Sequence, residues 1–208
     1  MNPTRSVLLT IAIASLVASA ACGAGSDTPP PSPPTSGAPD LAGHWRSSCV
    51  PTNGTQSVTL DFRNTASTWA LDYVTYADMT CATPFVTAHI EGPYTVTGTS
   101  ATVAGAWEAR LAFDRKQVTP ASAAAAGFLA SAAGCGRAGF SAATPTDVLE
   151  LGCPGLGQLP RSTCAADYDL VSIGADGLRF GDRPKDNDLC TAGKRPAKLS
   201  ALASARVL

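Results

Sequence analysis

Hydrophobic and polar residues alternate with a period of two along most of the chain from Leu41 onward. The clearest alternation is in the triplets Val58, Leu60 and Phe62; Trp69, Leu71 and Tyr73; and Val86, Ala88 and Ile90. A longer run has its apolar side chains on one parity at Val103, Trp107, Ala109, Leu111 and Phe113. This period is typical of β-strands with one buried face. Turn-forming residues at 53–54, 63–65 and 98–100 separate the runs and predict an antiparallel meander.

Other segments complete the predicted element list. Gly92-Pro93 interrupts a strand and predicts a bulge or an edge position. Thr119-Pro120 is typical of a helix start, and we predict an Ala-rich helix over residues 121–133 that ends at Gly134. Residues 168–173 and 178–180 predict a hairpin, residues 147–151 predict a further strand, and the tail after Pro196 is weakly patterned.

Together these elements predict a mostly β fold. A curled meander buries its edges by closing on itself. We therefore predict an antiparallel meander that forms a lipocalin-like barrel or half-barrel with one Ala-rich helix. Gly43-His44-Trp45, at the start of the first strand, is similar to the Gly-x-Trp of lipocalins.

The N-terminal segment predicts export and a lipid tether. Arg5 precedes an uncharged, mostly apolar run over residues 6–21, which is typical of a secretory signal peptide. Ser19-Ala20-Ala21-Cys22 resembles the lipobox of bacterial lipoproteins, in which the cysteine is lipidated; the alternative is ordinary cleavage after residues 18–20. We expect a lipoprotein signal peptide at residues 1–21, a lipidated Cys22 with a Pro/Ser/Gly-rich spacer at 22–40, and one folded domain at 41–208. Gly23 after the cysteine leads us to expect outer-membrane sorting where the bacterial envelope has one.

Composition narrows the function classes. The 208 residues carry a net charge of −1, which argues against a nucleic-acid partner because no basic surplus is available to neutralise phosphates. A hydrophobic fraction of 45% is enough to build a core.

Seven cysteines are typical of an exported protein. Apart from Cys22 they are Cys49, Cys81, Cys135, Cys153, Cys164 and Cys190. No pair has CxxC spacing, and the only histidines are His44 and His89, so we expect structural disulfides and neither a metal nor another cofactor. Six cysteines allow 15 pairings, and their spacing does not choose among them.

A hydrophobic stripe is the candidate binding site. Its members are Trp69, Leu71, Tyr73, Val86, Ile90, Val103, Trp107, Leu111 and Phe113. They either fill a small barrel or line an apolar pocket, and periodicity does not separate the two. The small residues Ala88, Gly105 and Ala109 on the same faces leave room for a pocket.

Catalytic motifs are not found, so we do not expect an enzyme. Residues 139–143 lack the last glycine of a Gly-x-Ser-x-Gly elbow, and the sequence contains neither His-Glu-x-x-His nor a P-loop. Asp182, Asp186 and Asp188 lie among glycine and proline and are interpreted as a solvated loop. His44 is interpreted as packed or exposed, and His89 as exposed.

The order of these features resembles one family, the domain named for adenomatosis polyposis coli down-regulated one. The similar segments, covering residues 41–200, are 41–49 (LAGHWRSSC), 60–81 (LDFRNTASTWALDYVTYADMTC), Thr83-Pro84-Phe85, Gly92-Pro93-Tyr94, Val118-Thr119-Pro120, Gly134-Cys135-Gly136, Leu151-Gly152-Cys153, Tyr168-Asp169-Leu170, Gly181-Asp182-Arg183-Pro184 and Lys194-Arg195-Pro196.

The resemblance implies an extracellular barrel-like domain that is open enough to admit lipid. Animal members have two such domains and a C-terminal membrane span, and they engage lipidated Wnt. For this chain we expect one such domain and a leader lipidation site in place of the span. The lipobox indicates a bacterial source, which would have no Wnt, so that partner does not transfer. We expect a membrane-tethered protein that binds a hydrophobic or lipidated ligand. The alternative is a solid-cored module that binds a protein or glycan, and no specific protein partner is indicated.

Disulfide pairing is predicted from the meander and the family. Cys49 and Cys81 end the first and third strands, which lie on either side of the second and run the same way, so we expect them to pair. Cys135 and Cys153 match positions of the family's own cysteines and are expected to pair. Cys164 and Cys190 match no family cysteine, which suggests one gained bond across the outer ends of the predicted hairpin.

Overall fold

Eleven β-strands and one α-helix form the described part of the chain, which covers residues 37–52 and 54–208 of a computed structural model. The strands are β1 (Gly43–Ser47), β2 (Val50–Pro51), β3 (Ser57–Asn64), β4 (Thr68–Tyr76), β5 (Pro84–Thr99), β6 (Trp107–Ala112), β7 (Arg115–Pro120), β8 (Thr146–Asp147), β9 (Ala166–Gly174), β10 (Gly177–Gly181) and β11 (Leu199–Arg206). The helix is α1 (Ala123–Ala130), and 3₁₀ turns lie at Pro154–Leu156 and Ala192–Lys194. The predicted leader, Cys22 and most of the spacer lie outside the described residues.

Eight of these strands close into an antiparallel barrel in the order β1-β3-β4-β5-β6-β9-β10-β11. The closure is made by β11, which pairs with β1 through Trp45 and Arg206 and with β10 through Leu178 and Ser204. The predicted mostly β fold is therefore confirmed, and of the two predicted forms the structure is the closed barrel.

The longest strand, β5, changes partners halfway along its length. It pairs with β7 over Val86–Glu91 and with β6 over Tyr94–Thr99. Gly92 lies at the change, where a Cβ would be 2.2 Å from the carbonyl oxygen of Ala112. The strand continues through Gly92-Pro93, and the register shift in its pairing with β6 comes later, between Val96 and Gly98.

Helix α1 is shorter and begins later than the sequence predicts. Thr119 pairs with Thr87 in the sheet, so Thr119-Pro120 ends β7 and does not begin the helix. Ser122 is the N-cap, and its side chain accepts a hydrogen bond from the Ala125 amide at 3.2 Å. The helix packs through Ala125 and Leu129 into a second core cluster that also contains Val86, Ala88, Val118 and Val148.

Three other element predictions need correction. The run from Val103 to Phe113 is not one strand: Val103 lies in the loop before β6, and Phe113 lies at the corner between β6 and β7. The strand predicted at 147–151 is the two-residue β8. The weakly patterned tail forms β11, which closes the barrel. The hairpin predicted around residues 174–177 is confirmed as β9–β10.

Three disulfides join the loops to the barrel. They are Cys49–Cys81, Cys135–Cys153 and Cys164–Cys190, which confirms the predicted pairing. Cys49 lies between β1 and β2, and Cys81 follows β4, so the first bond spans β3 as the meander requires. Within the described residues, no helix has the length and hydropathy to span a membrane.

Candidate ligand cavity

A cavity of about 740 Å³ occupies the barrel interior. Its walls are mainly apolar and aromatic, with Leu60, Phe62, Trp69, Leu71, Tyr73, Ile90, Leu111, Phe113, Leu178, Phe180 and Leu202. The strand period explains this lining, because alternate residues of each strand point inward. The exposed lining residues Thr52, Gly155, Asp182 and Arg183 mark where the cavity reaches solvent.

Aromatic contacts hold the apolar wall in shape. The rings of Phe62 and Phe180 stack with their centroids 4.7 Å apart, which joins β3 to β10. Trp69 lies 6.1 Å from Phe113, centroid to centroid, and its indole N–H donates to the Ala112 carbonyl at 3.0 Å. The indole is therefore fixed in one orientation beside the cavity.

The structure brings six of the nine predicted stripe residues to the cavity, namely Trp69, Leu71, Tyr73, Ile90, Leu111 and Phe113. The other three lie elsewhere. Val86 packs in the cluster beneath α1, Val103 lies in a loop, and Trp107 packs against the main core without lining the cavity. Trp69, and not Trp107, is therefore the tryptophan placed to report on cavity contents.

Five charged residues that the stripe did not include also line the cavity. They are Lys116 on β7, Asp167 and Asp169 on β9, and Asp182 and Arg183 after β10. The alternation of inward and outward residues could have identified three of them. Lys116 lies on the same face of its strand as Val118, and Asp167 and Asp169 lie on the same face as Val171. Sequence reasoning missed them because it assigned charged residues to the solvent face.

Lys116 is a nearly fully buried lysine with an exposed fraction of 2%. Its ammonium donates to the Leu159 carbonyl at 3.2 Å and lies 3.7 Å from the centroid of the Phe113 ring. Among the described residues, no carboxylate lies within 4.0 Å of it. Burial lowers the pKa of Lys116 to about 8, against the opposing charge of Asp167.

Asp169 is fully buried in the cavity wall. Its Oδ1 accepts hydrogen bonds from the amides of Leu170 at 2.7 Å and Gly181 at 3.0 Å. Residue 181 is a glycine, and this allows the close approach, because a Cβ at this position would lie only 2.5 Å from Asp169 Oδ1. Burial raises the pKa of Asp169 to about 6, although the charge of Arg183 acts in the opposite direction.

Arg183 is bound on two sides near the cavity opening. It forms a hydrogen-bonded ion pair with Asp167 and donates to the Asn187 side-chain oxygen at 2.7 Å. Its Nη2 lies 3.5 Å from Asp169 Oδ2, beyond a good hydrogen bond. Lys116, Asp167, Asp169 and Arg183 thus form a group of two carboxylates and two cations, and the exposed Asp182, also in the lining, pairs with Lys198.

Both histidines lie on the outer face of the barrel in ion pairs. His44 contacts Asp61 at 3.0 Å, and His89 contacts Asp72 at 2.6 Å. Arg63 lies between Asp61 and Asp72, so the contacts form a ladder across β1, β3, β4 and β5. In the described part of the chain, no group of three or more His, Cys, Asp or Glu side chains is arranged to hold a metal ion.

Comparison with known protein families assigns the chain to one of them. The model of the family "Adenomatosis polyposis coli down-regulated 1" matches residues 33–149. The chain belongs to this family. It is not a known enzyme family. No curated protein matches the chain. The match covers β1–β8 and α1; the similar segments from Leu151 onward lie beyond it, as do Asp169 on β9 and Arg183 after β10.

Proposed function

We propose that this chain is a non-enzymatic lipoprotein of the bacterial cell envelope whose barrel binds a hydrophobic or lipidated ligand. The observation that carries the proposal is the cavity, because a barrel packed solely for stability has its interior filled with side chains. Its volume of about 740 Å³ lies in the range of small-molecule sites, as does its combination of apolar walls with a few polar groups.

An acyl chain suits this interior on energetic grounds. Each methylene moved from water to an apolar wall contributes about 0.8 kcal/mol, so a chain of ten carbons supplies ample driving force. The rings of Phe62, Trp69 and Phe180 provide wide contact surfaces for such a chain.

Lipid extraction of the purified full chain, followed by mass spectrometry, tests for a bound ligand. We expect a reproducible acyl lipid in extracts of the wild type. The lipid should be lost in Leu71→Trp, because Leu71 lies on β4 in the cavity wall and the larger indole would occupy the space of the ligand. Val74→Trp is the matched control, since Val74 lies on the same strand with the opposite parity. If wild-type protein carries no lipid and takes up none from a panel of fatty acids, esters and lysolipids, the proposal fails. A specific protein or glycan partner would then favour an interaction module.

The anchor part of the proposal rests on Cys22 and the spacer that follows it. Replacing Cys22→Ser is expected to release the protein from the membrane fraction while its thermal unfolding stays unchanged, because the spacer separates tether from barrel. Density-gradient fractionation of wild-type membranes tests the expected outer-membrane location. Membrane association that persists in Cys22→Ser would overturn the anchor.

A further inference from the structure

One buried acceptor in the cavity wall has no donor. Asp169 Oδ2 makes no hydrogen bond within the described residues, although the side chain is fully buried and lines the cavity. An unpaired buried polar atom costs free energy, and a charged one costs more. Its opposite neighbour on β6 is Ala109, whose small side chain has no polar atom to donate to the carboxylate.

Neither Arg183 nor Lys116 donates a hydrogen bond to Asp169 Oδ2. Arg183 directs its hydrogen bonds to Asp167 and Asn187, and its approach to Asp169 Oδ2 is 3.5 Å. Lys116 donates to the Leu159 carbonyl and has further N–H donors in the same cavity. The cavity therefore presents one free acceptor and spare donors at its polar end.

We propose that the ligand is an uncharged acyl ester or amide whose head group bears an N–H or O–H, and that this group donates to Asp169 Oδ2. The ligand carbonyl accepts from Lys116. This inference rests on the proposed function and names the ligand class of the same cavity. A free fatty acid fits less well, because its carboxylate has no donor for Asp169 and meets a cluster with no net positive charge.

The test uses two isosteric probes, N-methyldodecanamide and methyl dodecanoate. They differ only in the group between the carbonyl and the methyl group, which is N–H in the amide and an oxygen atom in the ester. Their affinities for the full chain are measured at pH 7.5 by titration calorimetry or by Trp fluorescence. We expect wild type to prefer the amide about tenfold, as a hydrogen bond to a carboxylate predicts. 1-Dodecanoylglycerol, compared with the same methyl ester, tests whether a hydroxyl serves as the donor.

The deciding variant is Asp169→Asn, which keeps the acceptor for the Leu170 and Gly181 amides and replaces Oδ2 with an NH₂ donor. We expect it to lose the preference while still binding the methyl ester. Asp182→Asn is the control, because Asp182 also lines the cavity but is exposed and paired with Lys198 at 2.9 Å. It should keep the wild-type preference.

The outcomes separate the two proposals. Wild type that binds the amide, the glycerol ester and the methyl ester with equal affinity, or Asp169→Asn that retains a preference, overturns the ligand class and leaves the cavity function intact. A wild type that binds none of the probes overturns the ligand class, and the cavity function fails with it only when the panel of fatty acids, esters and lysolipids also does not bind.

A pH series on wild type covers the case in which Asp169→Asn does not fold. Neither the amide nor the methyl ester titrates, so a change in preference reports on the protein. Protonation converts Asp169 Oδ2 from an acceptor into a hydroxyl, and its pKa is raised to about 6. The charged groups that act on it are Arg183 and Asp167. The amide preference should fall at least threefold between pH 7.5 and pH 5, and a constant preference overturns the inference.

Discussion

Lys116 and Phe113 lie on opposite sides of the β6–β7 corner, and the Lys116 ammonium lies 3.7 Å from the centroid of the Phe113 ring. The negative face of the ring attracts the cation. This contact and the Leu159 carbonyl replace only part of the hydration that burial removes. The corner thus brings a partly compensated positive charge into a largely apolar wall.

Lys116→Met is expected to stabilise the protein near neutral pH. Because its pKa is lowered from 10.5 to about 8, burial of the charged Lys116 lowers the free energy of unfolding by about 3 kcal/mol at pH 7. Between pH 8 and pH 10.5 the unfolded state binds more protons at this site, so the wild type recovers stability as pH rises. Urea unfolding of both proteins at pH 7 and pH 10 should show the advantage of the variant shrinking. A constant difference would contradict this account.

Asp61 is the centre of the outer ion-pair ladder, and its replacement tests that ladder. Burial opposes ionisation of Asp61, but hydrogen bonds from His44 and Arg46 and the charge of Arg63 outweigh it and lower the pKa. Asp61→Asn is expected to cost about 1–3 kcal/mol at pH 7, as for hydrogen bonds to a buried carboxylate.

The pH dependence of this effect has a definite sign. A lowered pKa gives stability that is present above the unfolded value near 3.8 and lost as pH falls through the folded value. The difference between wild type and Asp61→Asn should therefore shrink on acidification below pH 4. Asp182→Asn removes an exposed ion pair and should change stability by less than about 1 kcal/mol.

Period-two alternation predicted β3, β4 and the β9–β10 hairpin because large apolar side chains in these strands face inward. It missed β11, whose inward residues Ser200, Leu202 and Ser204 include a single large apolar side chain. The reason is physical: a wall that borders a cavity does not need to fill it. The corner at Phe113 was missed because Phe113 keeps the parity of Ala109 and Leu111 although β6 has already ended at Ala112.

The candidate site was partly predictable from the same alternation of inward and outward residues. Inward parity selected the aromatic wall but did not show how far the cavity extends, so Trp107 was included although it packs outside the lining. Asp169 could not be recognised as buried from its residue type. Its burial depends on Gly181, a tertiary contact between β9 and β10.

The Cys164–Cys190 bond is expected to stabilise the barrel by constraining the unfolded chain. Its cysteines are 26 positions apart, which corresponds to about 3–4 kcal/mol in the chain-entropy model. Cys164→Ser should lower stability by about this amount and leave Cys190 as one free thiol, measurable by thiol titration in denaturant. The double replacement with alanine should be milder, because no thiol remains to exchange with the other disulfides. Finding no free thiol in the single variant would refute the bond.

Gly92→Ala tests whether the barrel depends on the close approach of β5 to the β6–β7 corner. An added Cβ would lie 2.2 Å from the Ala112 carbonyl oxygen and 3.0 Å from the Asp114 amide nitrogen, and both are backbone atoms. The Asp114 amide also donates to the Glu91 carbonyl at 2.9 Å, so relieving the clash would disturb this hydrogen bond. We expect a loss of about 1–3 kcal/mol or more, as for overpacked interiors.

Gly98→Ala is the matched control for this change. It lies on the same strand, and an added Cβ there meets no atom within 4 Å. Because alanine has less conformational freedom than glycine in the unfolded chain, this variant should be neutral or slightly more stable. Thermal and urea unfolding of both variants decide the matter. Equal stability of the two proteins would mean that the β5 crossover tolerates displacement, and Gly92 would then have no special role in bringing Phe113 and Lys116 to the cavity wall.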